Sequence, residues 1–165
     1  MKHAWILLLI ISLASPSLAD KKDPFKLGNL SLGQKAPRVL RVLGQPAEKS
    51  EVKEEAATGE MVQRWSYPKQ GLELDLSSSE DGQPLTVYRI YAKEPCNLSG
   101  YRGISIGTFA VEVQALARRM EGRKGLEVSQ GELGYGFLWL DSYQMLSITV
   151  ENGKVSEIFL GPGPE

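Results

Sequence analysis

The side chains most often recruited for catalysis are scarce in this chain. In 165 residues there is one histidine, His3, and one cysteine, Cys96. Histidine is the commonest general base and metal ligand because it titrates near neutrality, and His3 falls in a segment expected to be removed. Carboxylates, guanidinium groups and hydroxyls remain. Glu51, Glu54, Glu55 and Glu60 lie close enough in sequence to offer paired carboxylates, but they belong to a charged run that reads as a solvated edge. Ser77-Ser78-Ser79 has no histidine and no glycine elbow to activate a hydroxyl, and reads as loop. Gly131-Glu132-Leu133-Gly134-Tyr135-Gly136 is rich in glycine, yet it stands ahead of a strand instead of opening a helix, so it reads as a turn and not a phosphate cradle. Arg118, Arg119, Arg123 and Lys124 cluster at the end of a predicted helix, where they complement its dipole; an anion site or a site for an acidic partner is the alternative. Cys96 cannot close an internal disulfide. It reads as a buried or linker thiol, with pairing to a partner's cysteine as the alternative. Asn29-Leu30-Ser31 and Asn97-Leu98-Ser99 fit the glycosylation pattern of a eukaryotic secretory route. No catalytic residue, metal or cofactor is expected, and the chain reads as a non-enzyme.

The first residues read as an export signal. Lys2 gives a positive start, Ala4 to Leu13 is apolar apart from Ser12, and Ser17-Leu18-Ala19 supplies small residues for cleavage after Ala19. An apolar run of about ten residues is too short to span a hydrocarbon core of roughly 30 Å. Cleavage would remove Lys2 and His3 and leave 18 basic and 20 acidic residues, a net charge of −2. A chain so balanced gives no electrostatic reason to bind nucleic acid or anionic lipid. The expectation is an exported protein, periplasmic or extracellular, with no stable membrane insertion after cleavage.

Any surviving function must therefore rest on surfaces, and the elements that position them are written twice. Leu30-Ser31-Leu32-Gly33 opens a helical run, and Ile104-Ser105-Ile106-Gly107 opens another 74 positions later. At the same ungapped offset Trp65 aligns with Trp139, Leu72 with Leu146, Leu74 with Ile148 and Leu76 with Val150. Leu32, Ala36, Val39, Leu40 and Leu43 recur at helical spacing, with Pro37 tolerable only in the first turn and Gly44 and Pro46 as stops. Alternation then predicts strands over Met61–Tyr67, Leu72–Leu76 and Leu85–Ala92, and in the second half over Leu126–Gln130, Tyr135–Leu140, Gln144–Val150 and Val155–Leu160. Ser50 to Ala56 reads as a short charged edge strand. Asn152-Gly153 is the pair preferred in a two-residue hairpin. The first-half hairpin loop is longer, since Val87 to Ile90 match Val155 to Ile158 at an offset of 68. The predicted class is α+β: two tandem repeats, each a helix on a four-stranded antiparallel sheet. The divisions are a signal peptide (1–19), a mobile leader (20–27), repeat 1 (28–94), a linker (95–101) and repeat 2 (102–161).

Trp65 and Trp139 are assigned to the helix-covered face as structural anchors, together with the turn glycines Gly33 and Gly107. Arg64, Glu73 and Asp75 then fall on the outer face of the first half. Leu138 and Leu140 fall on that of the second, joined by Ile158 and Leu160. An apolar strip on an outer sheet face either packs on the other copy or receives a partner. Arg64, Glu73, Asp75, Leu138 and Leu140 are the candidate contacts.

A family resemblance supports this. The apolar-Ser-apolar-Gly start, the helix ending in Leu43-Gly44-Gln45-Pro46, the Trp65-Ser66-Tyr67 strand and the amphipathic hairpin after it resemble the SmpA/OmlA outer-membrane-assembly lipoprotein domain. In tandem, two such units resemble the β-lactamase-inhibitor-protein fold. The resemblance covers most of 28–94 and, less well, 102–161, where Arg118 replaces the Leu-Gly ending and Asp141 the Tyr. It implies an exported module that binds through the open face of its sheets. The lipid-attachment cysteine and the inhibitors' disulfides are missing, so lactamase inhibition does not carry over. The reading is a non-enzymatic protein-binding module, an envelope-associated scaffold or adaptor. A secreted enzyme inhibitor, a carboxylate-only hydrolase and a binder of small apolar ligands between the copies are the alternatives.

Overall fold

The computed structural model describes residues 23–56, 58–79 and 84–164. The expected export signal lies outside the described residues, as does part of the loop after Ser79. A small hairpin, β1 (Lys26–Leu27) and β2 (Leu30–Ser31), leads into α1 (Ala36–Leu43). Five strands follow: β3 (Glu48–Lys49), β4 (Lys53–Glu54), β5 (Met61–Tyr67), β6 (Leu72–Ser78) and β7 (Thr86–Lys93). Beyond a connection come α2 (Ala110–Met120), β8 (Leu126–Gly131), β9 (Gly134–Trp139), β10 (Gln144–Glu151) and β11 (Lys154–Pro162). The fold is α+β. Lys26 and Leu27, expected in a mobile leader, are instead paired with Ser31 and Leu30, and Leu27 is fully buried.

The two expected sheets are one. Strands run in the order β3-β5-β6-β7-β11-β10-β9-β8, all antiparallel, with β4 also paired to β5. The halves join along their last strands, with Ile90 opposite Leu160, Tyr91 opposite Phe159 and Ala92 opposite Ile158. Pairing two apolar edge strands satisfies both rows of backbone groups and removes two sites of unwanted association. The outer faces therefore lie side by side on one sheet, and the packing of one half's outer face on the other's does not occur.

The start of each half is built from the same bonds. Gly33 and Gly107 have φ of 73° and 85°, and their N–H groups donate to the carbonyls of Val87 and Val155, both at 2.8 Å. Val87 and Val155 return the bond to Gln34 and Thr108, at 2.9 and 2.8 Å. The first helical N–H of each half, at Ala36 and Ala110, donates to Leu85 and Gly153, both at 2.9 Å. The turn thus ties the start of each helix to the start of its half's last strand, as the positive φ available to glycine allows.

One core lies on one face of the sheet. It holds Trp65, Tyr67, Leu72, Leu74, Leu76, Ile90 and Ala92 from the first half, and Phe137, Leu146, Ile148, Ile158 and Leu160 from the second. Val39 of α1 and Val113, Leu116 and Met120 of α2 complete it, and α2 packs over β8 and β9. Ile158 and Leu160, expected on the outer face, are 2% and 1% exposed in this core. Pairing with Ala92 and Ile90 puts them on the helix side, and Phe159 takes the outward position.

The ungapped match of the two tryptophans fails at the level of register. Trp65 stands opposite Leu74, but the residue opposite Ile148 is Tyr135, and Trp139 stands opposite Gln144. Aligned on Leu72 and Leu146, the β9–β10 hairpin runs on for two more residues in each strand before it turns than β5–β6 does, so Tyr67 and Phe137 occupy matching places, opposite those leucines. Trp65 is buried, donates its indole N–H to Gln63 at 2.8 Å and lies 4.1 Å from the Lys49 ammonium. Trp139 is half-buried and meets Phe25 and Tyr101 edge-on, with centroids 5.1 and 5.8 Å away. Both indoles face the core side, but their surroundings differ.

Candidate protein-binding face

Alternation along the strands turns a second set of side chains away from the core. In the first half, Arg64, Asp75 and Arg89 stand abreast on β5, β6 and β7. Arg64 Nε donates to Asp75 Oδ1 at 2.7 Å and Nη2 to Oδ2 at 3.0 Å, the two-point geometry a guanidinium offers a carboxylate. Arg89 Nη1 approaches the same carboxylate at 3.6 Å, and its two terminal nitrogens donate to the Glu55 oxygens at 2.7 and 3.1 Å. A bulge beside Asp75 leaves Tyr88 as the extra residue on β7, with the Arg89 guanidinium 4.4 Å from its ring. A bulge re-aims side chains, and here it accompanies an arginine turned onto Glu55.

The charges in this cluster are fixed. The Asp75 side chain is 2% exposed and the Arg64 side chain 51%, so the acid lies beneath its partner. Hydrogen bonds from Arg89 hold the Glu55 carboxyl below its ordinary range. The bond to Asp75 raises Arg64. Burial works against the charge on Arg89, but the Glu55 contacts outweigh it and its pKa is raised. Burial, then the charge of Asp75, raises Tyr91. Every one of these shifts moves a group further from neutral pH, which suits holding shape and charge better than moving a proton.

At the seam, Tyr91 and Phe159 place their rings 5.1 Å apart and tilted by 49°. Arg64 lies 5.4 Å from the Tyr91 ring. Gly161 makes room for this arrangement, since a Cβ there would stand 2.5 Å from Phe159 Cζ and 3.1 Å from Arg89 Cγ. Beyond the seam the face is mixed: Met145, opposite Gly161, and Leu138, opposite Met145, make a small apolar strip, with Ser147, Thr149, Ser129 and Glu127 on the same side.

The five expected contacts separate on this surface. Arg64, Glu73 and Leu138 lie on the open face, and Arg64 Nη1 reaches Glu73 at 3.9 Å. Asp75 is on the same side but buried, so it cannot meet a partner and instead orients two arginines. Leu140 is in the β9–β10 turn, 48% exposed, and not in a strand. Tyr91, Phe159, Arg89 and Glu55 were not anticipated on this face. The offset of 68 that aligns Val87 to Ile90 with Val155 to Ile158 also aligns Tyr91 with Phe159, and that was the available signal.

Among the described residues no cluster of three or more His, Cys, Asp or Glu side chains could hold a metal ion, and no helix is long and apolar enough to cross a membrane. No family model and no curated protein matches the sequence. Among solved structures, the chain is similar to an extracellular protein containing a SCP domain from Bacillus anthracis str. Ames, at 10% identity and a TM-score of 0.41. That match covers 79% of this chain and spans less than half, 44%, of the other. A likeness this distant brings no function with it.

Proposed function

We propose that this is an exported, non-enzymatic module that binds a protein through the open face of its sheet. Its two halves are read as copies of one helix-and-strands unit. The recurrence of the Gly33 and Gly107 turn bonds supports duplication. So does the seam register, since exchanging the halves at the offset of 68 turns the pair Ile90–Leu160 into Ile158–Ala92 and leaves Tyr91–Phe159 unchanged.

One observation carries the binding assignment. Two aromatic rings and a half-exposed arginine meet at the centre of a sheet face that bears no helix. Tyrosine and arginine dominate the energetics of protein interfaces because they offer large contact area with few rotamers or with several donors. The paired charges of Arg64, Glu73, Arg89 and Glu55 lie on one side of that centre, and the apolar side chains of Met145 and Leu138 on the other, giving a partner both register and area.

A photo-crosslinking amino acid at position 159, and for comparison at the α2 position Val111, tests this in periplasmic or culture-supernatant extract. A discrete adduct from position 159 that Glu73→Lys abolishes, in a variant with unchanged thermal unfolding, is the expected result. Adducts from position 111 alone would overturn the reading. Assay of the captured protein's activity then separates an adaptor from an inhibitor.

A further inference from the structure

A recess lies on the helix-bearing side of the sheet, at the end of the second half, where the β9–β10 hairpin turns two residues later than β5–β6 does. That hairpin carries Trp139 past the register at which β5–β6 turns, to where the indole meets Phe25 of the N-terminal segment and Tyr101 of the connection. The result is a groove of about 550 Å³, within the size range of small-molecule sites. Its floor is apolar and buried: Tyr101, Met120 and Leu126 are 6%, 2% and 9% exposed, and the Tyr101 hydroxyl is turned onto the Met120 sulfur at 3.7 Å. The half-buried faces of Phe25 and Trp139 form a wall.

The rim is cationic. Arg102, Arg123 and Lys124 line it, and none of them belongs to an ion pair among the described residues. Of the two carboxylates present, Asp23 is engaged by Lys26 at 3.6 Å, leaving Asp141. Arg102 is held with φ 56° and ψ 23°, a conformation non-glycine residues rarely adopt, with its guanidinium 5.4 Å from the Tyr101 ring. Such backbone strain concentrates where a side chain's position matters.

We propose that this groove binds a small organic anion with an apolar body. The body lies against the Trp139 indole, and the acidic group meets Arg102, Arg123 and Lys124. The chemistry is common to aryl acids and to fatty acids. Burying a flat or aliphatic body over Met120 and Leu126 supplies affinity, and unpaired guanidinium groups select a carboxylate or sulfonate.

The probe is 1-anilinonaphthalene-8-sulfonate, titrated into the folded chain and read by its own fluorescence and by tryptophan quenching. Saturable binding at one site per chain is expected. The triple variant Arg102→Ala, Arg123→Ala, Lys124→Ala should weaken it by about tenfold or more, equivalent to about 1.4 kcal/mol, while the distant pair Arg41→Ala, Lys49→Ala leaves it unchanged. Because the three substituted side chains are exposed, the fold should survive, and unchanged thermal unfolding checks this. Competition by 1-naphthoate or by dodecanoate supports the assignment and identifies which body fits. Undiminished binding in the triple variant, loss on Phe159→Ser instead, no displacement by either acid, or an acidic peptide displacing the probe where both acids fail would each overturn it.

Discussion

The two halves of the sheet begin alike and end differently. Both tie a helix to a last strand through a glycine turn with matching hydrogen bonds, and both place an aromatic residue, Tyr67 or Phe137, opposite a buried leucine. They diverge at their far ends and on their open faces. The first half stops its central hairpin early, closes its edge with the short charged strands β3 and β4, and covers its open face with ions. The second turns its central hairpin two residues later, leaves β8 as a six-residue edge and faces outward with Met145 and Leu138 among small polar residues. The difference teaches that the turn and the core face are what the shared frame requires, while hairpin length and outward side chains are free to vary and can create separate surfaces.

Core truncations probe that division most strongly. Tyr67→Ala and Phe137→Ala should each cost about 3–5 kcal/mol, with similar values in chemical denaturation because they fill matching places. Trp65→Ala should fall in the same range, whereas half-exposed Trp139→Ala should cost clearly less. Equal losses at the two tryptophans would restore their equivalence and break the register argument. Next, Asp75→Asn should cost about 3 kcal/mol, because it leaves two arginines short of their buried counter-charge. Thr149, its counterpart at the offset of 74, should tolerate Val far better. A smaller and symmetrical effect is expected at the turns. Gly33→Ala and Gly107→Ala meet no neighbour within 4 Å of the new Cβ, so each should lose only the backbone cost of a left-handed residue, about 1–2 kcal/mol. A marked inequality would mean the two turns bear different loads.

The smallest effect should be pH-dependent and confined to the first half. Glu55 has its folded pKa lowered from 4.5, so its contribution is fully present above the unfolded value and is lost as pH falls through the folded one. Melting temperatures of wild type and Glu55→Gln should differ at pH 7 by an amount worth under about 1 kcal/mol, as partly exposed pairs give. The two should converge as pH drops below 4.5. A constant gap across that window would assign the effect to packing.

Local structure was legible because it has local causes. The strand over Met61–Tyr67 starts and ends where alternation places it, and α1 ends where Gly44 and Pro46 stop it. Asn152-Gly153 adopts φ of 51° and 75° in the β10–β11 hairpin. The site was less legible. Arg64, Glu73 and Leu138 were placed on the open face by alternation alone. The burial of Asp75 was not, since it depends on Arg89 and on Glu55 from a loop 34 residues away from Arg89 in sequence.

By itself, then, the sequence determined the periodicities, the turns, the end of α1 and the doubled opening motif, because each depends on residues within a few positions of one another. Tertiary structure decided which edges join and which way β11 faces. Ile158, Phe159 and Leu160 are apolar on both sides of the strand, so alternation offers no preference there. Only pairing with Ile90 and Ala92 buries the first and third and turns the phenyl ring outward to Tyr91. The same holds for Trp139: its text matches Trp65, but a hairpin that turns two residues later carries it to a different wall.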